Sequence, residues 1–138
     1  MKLKSPLKAL KELGVPSTIS ELSDHTGRTR QDILGSLLWD QRAGRVRRVK
    51  VYRDSYGGRK VTIFGLMVKH RGWKPANEVE ENLFLLVALL GPVSFGMLCY
   101  QTGWSAEVTF HLLEKLMSEG VIRRSPVDPA NMFEEVRG

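Results

Sequence analysis

LKELGVPSTISELSDHTGRTRQDILGSLLWDQRAGRVRR, residues 10–48, recurs as LVALLGPVSFGMLCYQTGWSAEVTFHLLEKLMSEGVIRR, residues 86–124, at a constant offset of 76 residues without a gap. Ten of the 39 paired positions are identical, and they fall where local structure is decided. Leu10/Leu86, Leu13/Leu89, Leu22/Leu98 and Leu37/Leu113 share apolar spacing; Pro16/Pro92, Thr26/Thr102, Gly27/Gly103 and Gly44/Gly120 mark turns; Arg47/Arg123 and Arg48/Arg124 close the match. Thr18/Ser94, Ile19/Phe95, Ser23/Cys99, Thr29/Ser105 and Val46/Ile122 are conservative pairs. The chain therefore reads as two copies of one small helical unit.

Each copy reads as three helices. In the first copy a helix starts at Ser5-Pro6, a cap residue followed by proline at the first helical position, and carries Leu7, Leu10 and Leu13 to a stop at Gly14. A second starts at Thr18, where Thr18-x-x-Glu21 has capping-box spacing, and buries Ile19 and Leu22. Gly27 ends it by taking a left-handed turn, and Thr29 caps a third helix that runs to Gly44 with Ile33, Leu34 and Leu37 turned inward. Asp40 stands where the pattern wants an apolar residue, with Leu38 and Trp39 as the compensation.

After the third helix the copies diverge. Arg47-Arg48-Val49-Lys50-Val51-Tyr52-Arg53 and Arg59-Lys60-Val61-Thr62-Ile63-Phe64 alternate apolar and basic residues on either side of Asp54-Ser55-Tyr56-Gly57-Gly58, which predicts a β-hairpin. In the second copy Ser125-Pro126 and Asp128-Pro129 interrupt the chain, and no such hairpin is expected. Residues 5–66, from Thr26-Gly27-Arg28-Thr29 through Gly44-Arg45-Val46-Arg47-Arg48 to the hairpin, resemble the winged helix-turn-helix family of DNA-binding regulators. Residues 102–124 resemble the same family. The resemblance implies a mostly α fold with a small β-hairpin wing, arranged as two tandem winged-helix domains.

A 76-residue repeat in 138 residues divides into a basic domain over 1–67, a linker over 68–77, a second helix-turn-helix domain over 78–125 and a tail over 126–138. Trp73 in the linker is expected to pack at the domain junction. The apolar run Leu83–Leu90 is too short to span a bilayer and has no polar face, so it is expected to meet the other copy or a partner. No apolar stretch follows the charged start, Met1-Lys2-Leu3-Lys4, which argues against a signal peptide. The single Cys99 is placed on the buried side of its helix as a structural residue. A cytoplasmic protein is the expectation.

Charge separates the halves. Residues 1–75 hold 17 Lys and Arg against 6 Asp and Glu, a net of +11; residues 76–138 hold 4 against 9, a net of −5. A field of the first sign attracts a polyanion. The amino end of a helix-turn-helix third helix faces base edges, where Arg suits guanine and Gln suits adenine. Arg28, Arg30 and Gln31 are therefore the candidate base readers, with Thr18 and Thr29 near phosphate. Around the hairpin, Arg53, Tyr56, Arg59 and Lys60 are candidates for backbone contact, as are Arg47, Arg48 and Lys50 at the strand start.

The second copy offers Trp104-Ser105-Ala106-Glu107, then His111 and Glu114, a poor match for phosphate. Self-association or partner binding is its expected role, through Trp104 and the apolar first helix. His25, His70 and His111 lie in unrelated settings, and no metal-ligand spacing or phosphate loop appears, so neither enzyme activity, cofactor nor metal is expected. The leading expectation is a regulator that binds double-stranded DNA. Alternatives are an interaction scaffold of tandem winged helices and an RNA binder.

Overall fold

In the computed structural model the chain splits into two units, Met1–Met67 and Val68–Gly138. Residues 3–53 and 56–137 are described; Asp54 and Ser55 of the expected hairpin turn, Met1, Lys2 and Gly138 lie outside them. The first unit holds helices α1 (Pro6–Leu13), α2 (Ile19–Thr26) and α3 (Arg30–Arg42), then strands β1 (Val46–Tyr52) and β2 (Lys60–Leu66). Ser5 caps α1 by accepting from the Lys8 N–H, and the Thr18/Glu21 capping box of α2 forms in both directions. Gly27 then turns the chain at φ +76°, a conformation that costs a residue with a Cβ but not glycine. Ala9, Leu10, Leu22, Ile33, Leu37, Val46 and Phe64 form the core between the helices and the hairpin.

β1 and β2 pair antiparallel from Val46↔Leu66 to Tyr52↔Lys60, and Ser17 bridges to Phe64 on the far edge of β2. That bridge rests on two backbone hydrogen bonds, 2.9 and 2.8 Å, which seat the α1–α2 turn on the hairpin.

The second unit repeats the plan with α4 (Glu78–Leu90), β3 (Val93–Ser94), α5 (Phe95–Thr102), α6 (Ala106–Ser118), β4 (Ile122–Arg124) and β5 (Met132–Glu135). α5 and α6 span the same positions as α2 and α3 when 76 is added, and Gly103 has φ +73°. Contrary to expectation, a hairpin follows here too. β5 lies between β3 and β4, with Val93↔Phe133 and Arg124↔Phe133 in register. The two prolines stand outside both strands, where no ladder hydrogen bond needs their missing N–H. The segment assigned to the tail is thus part of the sheet.

Residues 68–77, assigned to a linker, also belong to the second unit. Trp73 packs at a tilt against Phe84, 4.6 Å between ring centroids, and donates to Glu119 at 3.0 Å, so it serves its own unit. Asn77 caps α4. Of the eight residues of the apolar run Leu83–Leu90, six are buried and Leu85 and Leu90 are half-buried, so the run is largely covered already. Glu80, buried in the first turn of α4, meets Lys115 of α6 at 3.1 Å. Burial alone would push its carboxyl up, but the Lys115 ammonium and the Ala76 N–H hold it below the ordinary 4.5. A lowered folded-state value contributes stability that is present above the unfolded value and lost as pH falls through the folded one. Acidification from about pH 6 to about pH 3 is therefore expected to lower the melting temperature of this unit. Lys115→Met should lose less over that range, measured by circular dichroism.

Two expectations for α3 change. The buried stripe is Ile33, Leu37 and Asp40, so Leu34 is turned outward, and Leu38 and Trp39 are exposed and do not compensate for Asp40. Asp40 is satisfied by Arg45, whose guanidinium donates at 2.9 Å. The matched position in the second unit is the buried Leu116. Because Arg45 remains half in water, Asp40→Leu is expected to be neutral or to stabilise the first unit by about 1 kcal/mol, read by thermal denaturation. Cys99 is half-buried, on a flank of α5 and not on its inner face.

Candidate nucleic-acid interface

The two faces of the hairpin in the first unit differ. In an antiparallel ladder, directly opposed residues share a face. Val46, Phe64 and Leu66 begin one face inside the core; farther out that face carries Arg48, Lys50 opposite Thr62, and Tyr52 opposite Lys60. The other face carries Val49, Val51 and Ile63, all buried. Lys60 lies over the Tyr52 ring with its ammonium 5.0 Å from the centroid, a contact that leaves the charge outward. Arg48, Lys50, Arg59 and Lys60 are exposed. Among the described residues no hydrogen bond or ion pair engages the side chains of Arg48, Lys50 or Arg59. The result is a ribbon with a cationic, uncompensated face and a turn at Gly57 and Gly58, where φ is +63° and +80°.

Arg47 is on the opposite face from Arg48 and is buried, so it presents no charge to a ligand. Thr18 is likewise buried; its hydroxyl caps α2 and lies 3.1 Å from the Tyr56 hydroxyl. Tyr56 therefore ties the hairpin tip to the start of α2. Arg53 adds to this brace by donating to Glu21 at 2.7 Å. Partial burial would raise the Glu21 carboxyl, but the Thr18 N–H at 2.9 Å and the Arg53 guanidinium outweigh it and hold the group below its ordinary range. Glu21 thus stays ionised and neutralises Arg53. These three residues, expected near phosphate, instead aim the hairpin.

Arg28 also has an internal role. Its Nε donates to the Lys4 carbonyl at 2.7 Å and its Nη2 to the Leu3 carbonyl at 3.0 Å, pinning residues 3 and 4 beside the α2–α3 turn. Thr29 caps α3 through the Asp32 N–H at 3.2 Å. Arg30 and Gln31 remain exposed on the first turn of α3. The structure brings Arg48, Lys50 and Lys60 together; among the described residues, no hydrogen bond or ion pair joins them to Arg30 or Gln31.

Sequence reasoning missed the outward run on α3. Buried positions 33, 37 and 40 put Gln31, Gly35, Leu38 and Arg42 along the middle of the opposite face, flanked by Leu34 and Trp39. The signal lies in the 3.6-residue period, which outweighs the apolar character of Leu34 and Leu38.

The second unit presents different chemistry at matched positions. Glu107, His111 and Glu114 line the exposed side of α6, and Met97, Tyr100 and Val108 stand open to solvent, while Trp104 is half-buried. With the structural boundary at residue 68, the first unit carries 14 Lys and Arg against 6 Asp and Glu, net +8, and the second 7 against 9, net −2. The contrast keeps its sign and narrows, because Lys69, Arg71 and Lys74 fall in the second unit.

Among the described residues no cluster of His, Cys, Asp or Glu could hold a metal ion, and no helix is long and apolar enough to cross a membrane. No family model matches the chain, and no curated protein matches it in sequence.

Proposed function

We propose that the protein binds duplex DNA through its first unit, as a tandem winged-helix protein of the transcription-regulator type, and binds a partner protein or a second copy through its second unit. The observation that carries this reading is the cationic face of the hairpin. Arg48, Lys50 and Lys60 share one side of a ribbon whose other side is buried at Val49, Val51 and Ile63, and no acidic side chain among the described residues answers them. Charges gathered that way on a unit of net +8 suit a polyanion whose backbone runs along the ribbon. α3 supports the same reading by exposing Arg30 and Gln31, residue types that bond base edges.

For the second unit, the support is that Tyr100 and Val108 are 59% and 48% exposed beside Glu107 and Glu114, a combination suited to protein and unsuited to phosphate.

Fluorescence anisotropy of a random-sequence duplex with the full chain, across a salt series, tests the proposal. With Arg48, Lys50, Lys60 and the exposed Arg59 each meeting a phosphate, log affinity is expected to fall with log salt with a slope of about −3 to −4. No binding at low salt, or affinity indifferent to salt, would sink it and leave a protein scaffold as the better account.

A further inference from the structure

Gly35 sits in the middle of α3, faces solvent, and has nothing within 4 Å of where a Cβ would stand. Glycine at such a place weakens a helix by about 0.5–1 kcal/mol relative to alanine, and no neighbour in the chain requires it. Around it lie Gln31, Leu38, Trp39 and Arg42, with Leu34 stacked beside Leu38, so the helix offers a flat spot between the exposed Leu38 and Trp39. An apolar face with a gap at its centre suits close approach by another body.

Charge selects that body. Two α3 faces set against each other would oppose the Arg30 and Arg42 side chains of two units that each carry +8, which disfavours a second copy. A polyanion with apolar groups in a groove fits better. We infer that α3 reads A·T base pairs, with Gln31 on adenine, Leu34 and Leu38 against thymine methyl groups, and Gly35 allowing the helix to seat deeply in the major groove. Gln can bond adenine N6 and N7 together, and the thymine methyl is the one apolar group that the major groove displays. Guanine readout is weakened by the same structure, because Arg28 is spent on the Leu3 and Lys4 carbonyls, Arg30 projects about 100° around the helix from Gln31 toward the flank and not the outward face, and Arg42 lies at the far end of the helix. This inference rests on the DNA-binding reading and sharpens it to a base class.

The test measures binding of the full chain to three duplexes of one length: A·T-rich, the same with deoxyuridine in place of thymidine, and G·C-rich. Removing the methyl is a change in the DNA alone, so the fold of the protein is not at issue. The A·T duplex is expected to bind about fourfold more tightly than its uracil counterpart for each methyl contact, and about tenfold more tightly than the G·C duplex. Leu34→Ala/Leu38→Ala, both at exposed helix positions, should erase the thymine-over-uracil difference, and Gln31→Ala should reduce the A·T preference. Equal binding to all three duplexes overturns the inference and leaves DNA binding intact. Binding to none overturns the proposed function itself. Unchanged DNA binding by the leucine variant, combined with a smaller sedimenting mass, would assign this face to a second copy and also overturn the inference.

Discussion

Lys50→Glu/Lys60→Glu is expected to weaken duplex binding by about 100-fold at moderate salt and to reduce the salt slope by about 2. Each lysine stands on the outward face of the hairpin, opposite Thr62 and Tyr52 respectively, so both are replaced without touching the core. The cost to stability is the Lys60–Tyr52 contact, about 0.5–1 kcal/mol, which melting curves would register. Every neutralised phosphate releases counterions, so losing two contacts lowers the slope whatever the DNA sequence. Arg53→Ala is the informative companion. Its charge is already met by Glu21, so it should change the salt slope much less than the lysine pair does. Anisotropy titrations at three salt concentrations separate the cases; equal slopes for wild type and the lysine pair would remove the hairpin from the interface.

The second large effect concerns stability. His70→Ala is expected to destabilise the second unit by about 3 kcal/mol. His70 meets Glu135 at 2.8 Å, and both side chains are largely out of water, at 13% and 2% exposure. The imidazole also packs edge-on against Phe84 and Trp73. Its loss takes a hydrogen bond from a carboxylate that water barely reaches and opens space beside two aromatic rings. Removing both polar partners is a different matter. Glu135 pairs across the ladder with Ile122, as Leu66 pairs with Val46 in the first unit, so the position accepts leucine in this fold. His70→Leu/Glu135→Leu should recover most of the stability. Urea denaturation followed by tryptophan fluorescence would measure both variants; a double variant as unstable as His70→Ala would mean that packing and not the polar pair dominates.

Much of the helical framework was legible because its signals are local. Ser5-Pro6, Thr18-x-x-Glu21, Gly27 and Thr29 each act within a few residues, and each sits in its expected cap or turn. What depended on tertiary register was not legible. The second hairpin was hidden by Pro126 and Pro129, which look like breaks until the loop between β4 and β5 is known to hold both. Phe133 beside Val93 answers to Phe64 beside Ser17, a correspondence that the ungapped repeat could not reach across loops of unequal length. The basic residues of β1 look alike by type, but alternation sends Arg47 inward and Arg48 outward. Thr18, Tyr56, Arg53 and Arg28 carry the residue types of phosphate contacts, and only the fold reveals their partners inside the chain.

Amide chemical-shift mapping separates contact with DNA through the first unit from contact through the second. The full chain would be titrated with a short duplex. Shifts are expected to concentrate at Arg48, Lys50, Arg59, Lys60 and Thr62 and along the outward face of α3, from Arg30 to Arg42, with α5 and α6 unmoved. Shifts centred on Met97, Tyr100 and Val108, with the hairpin of the first unit unchanged, would contradict contact through the first unit.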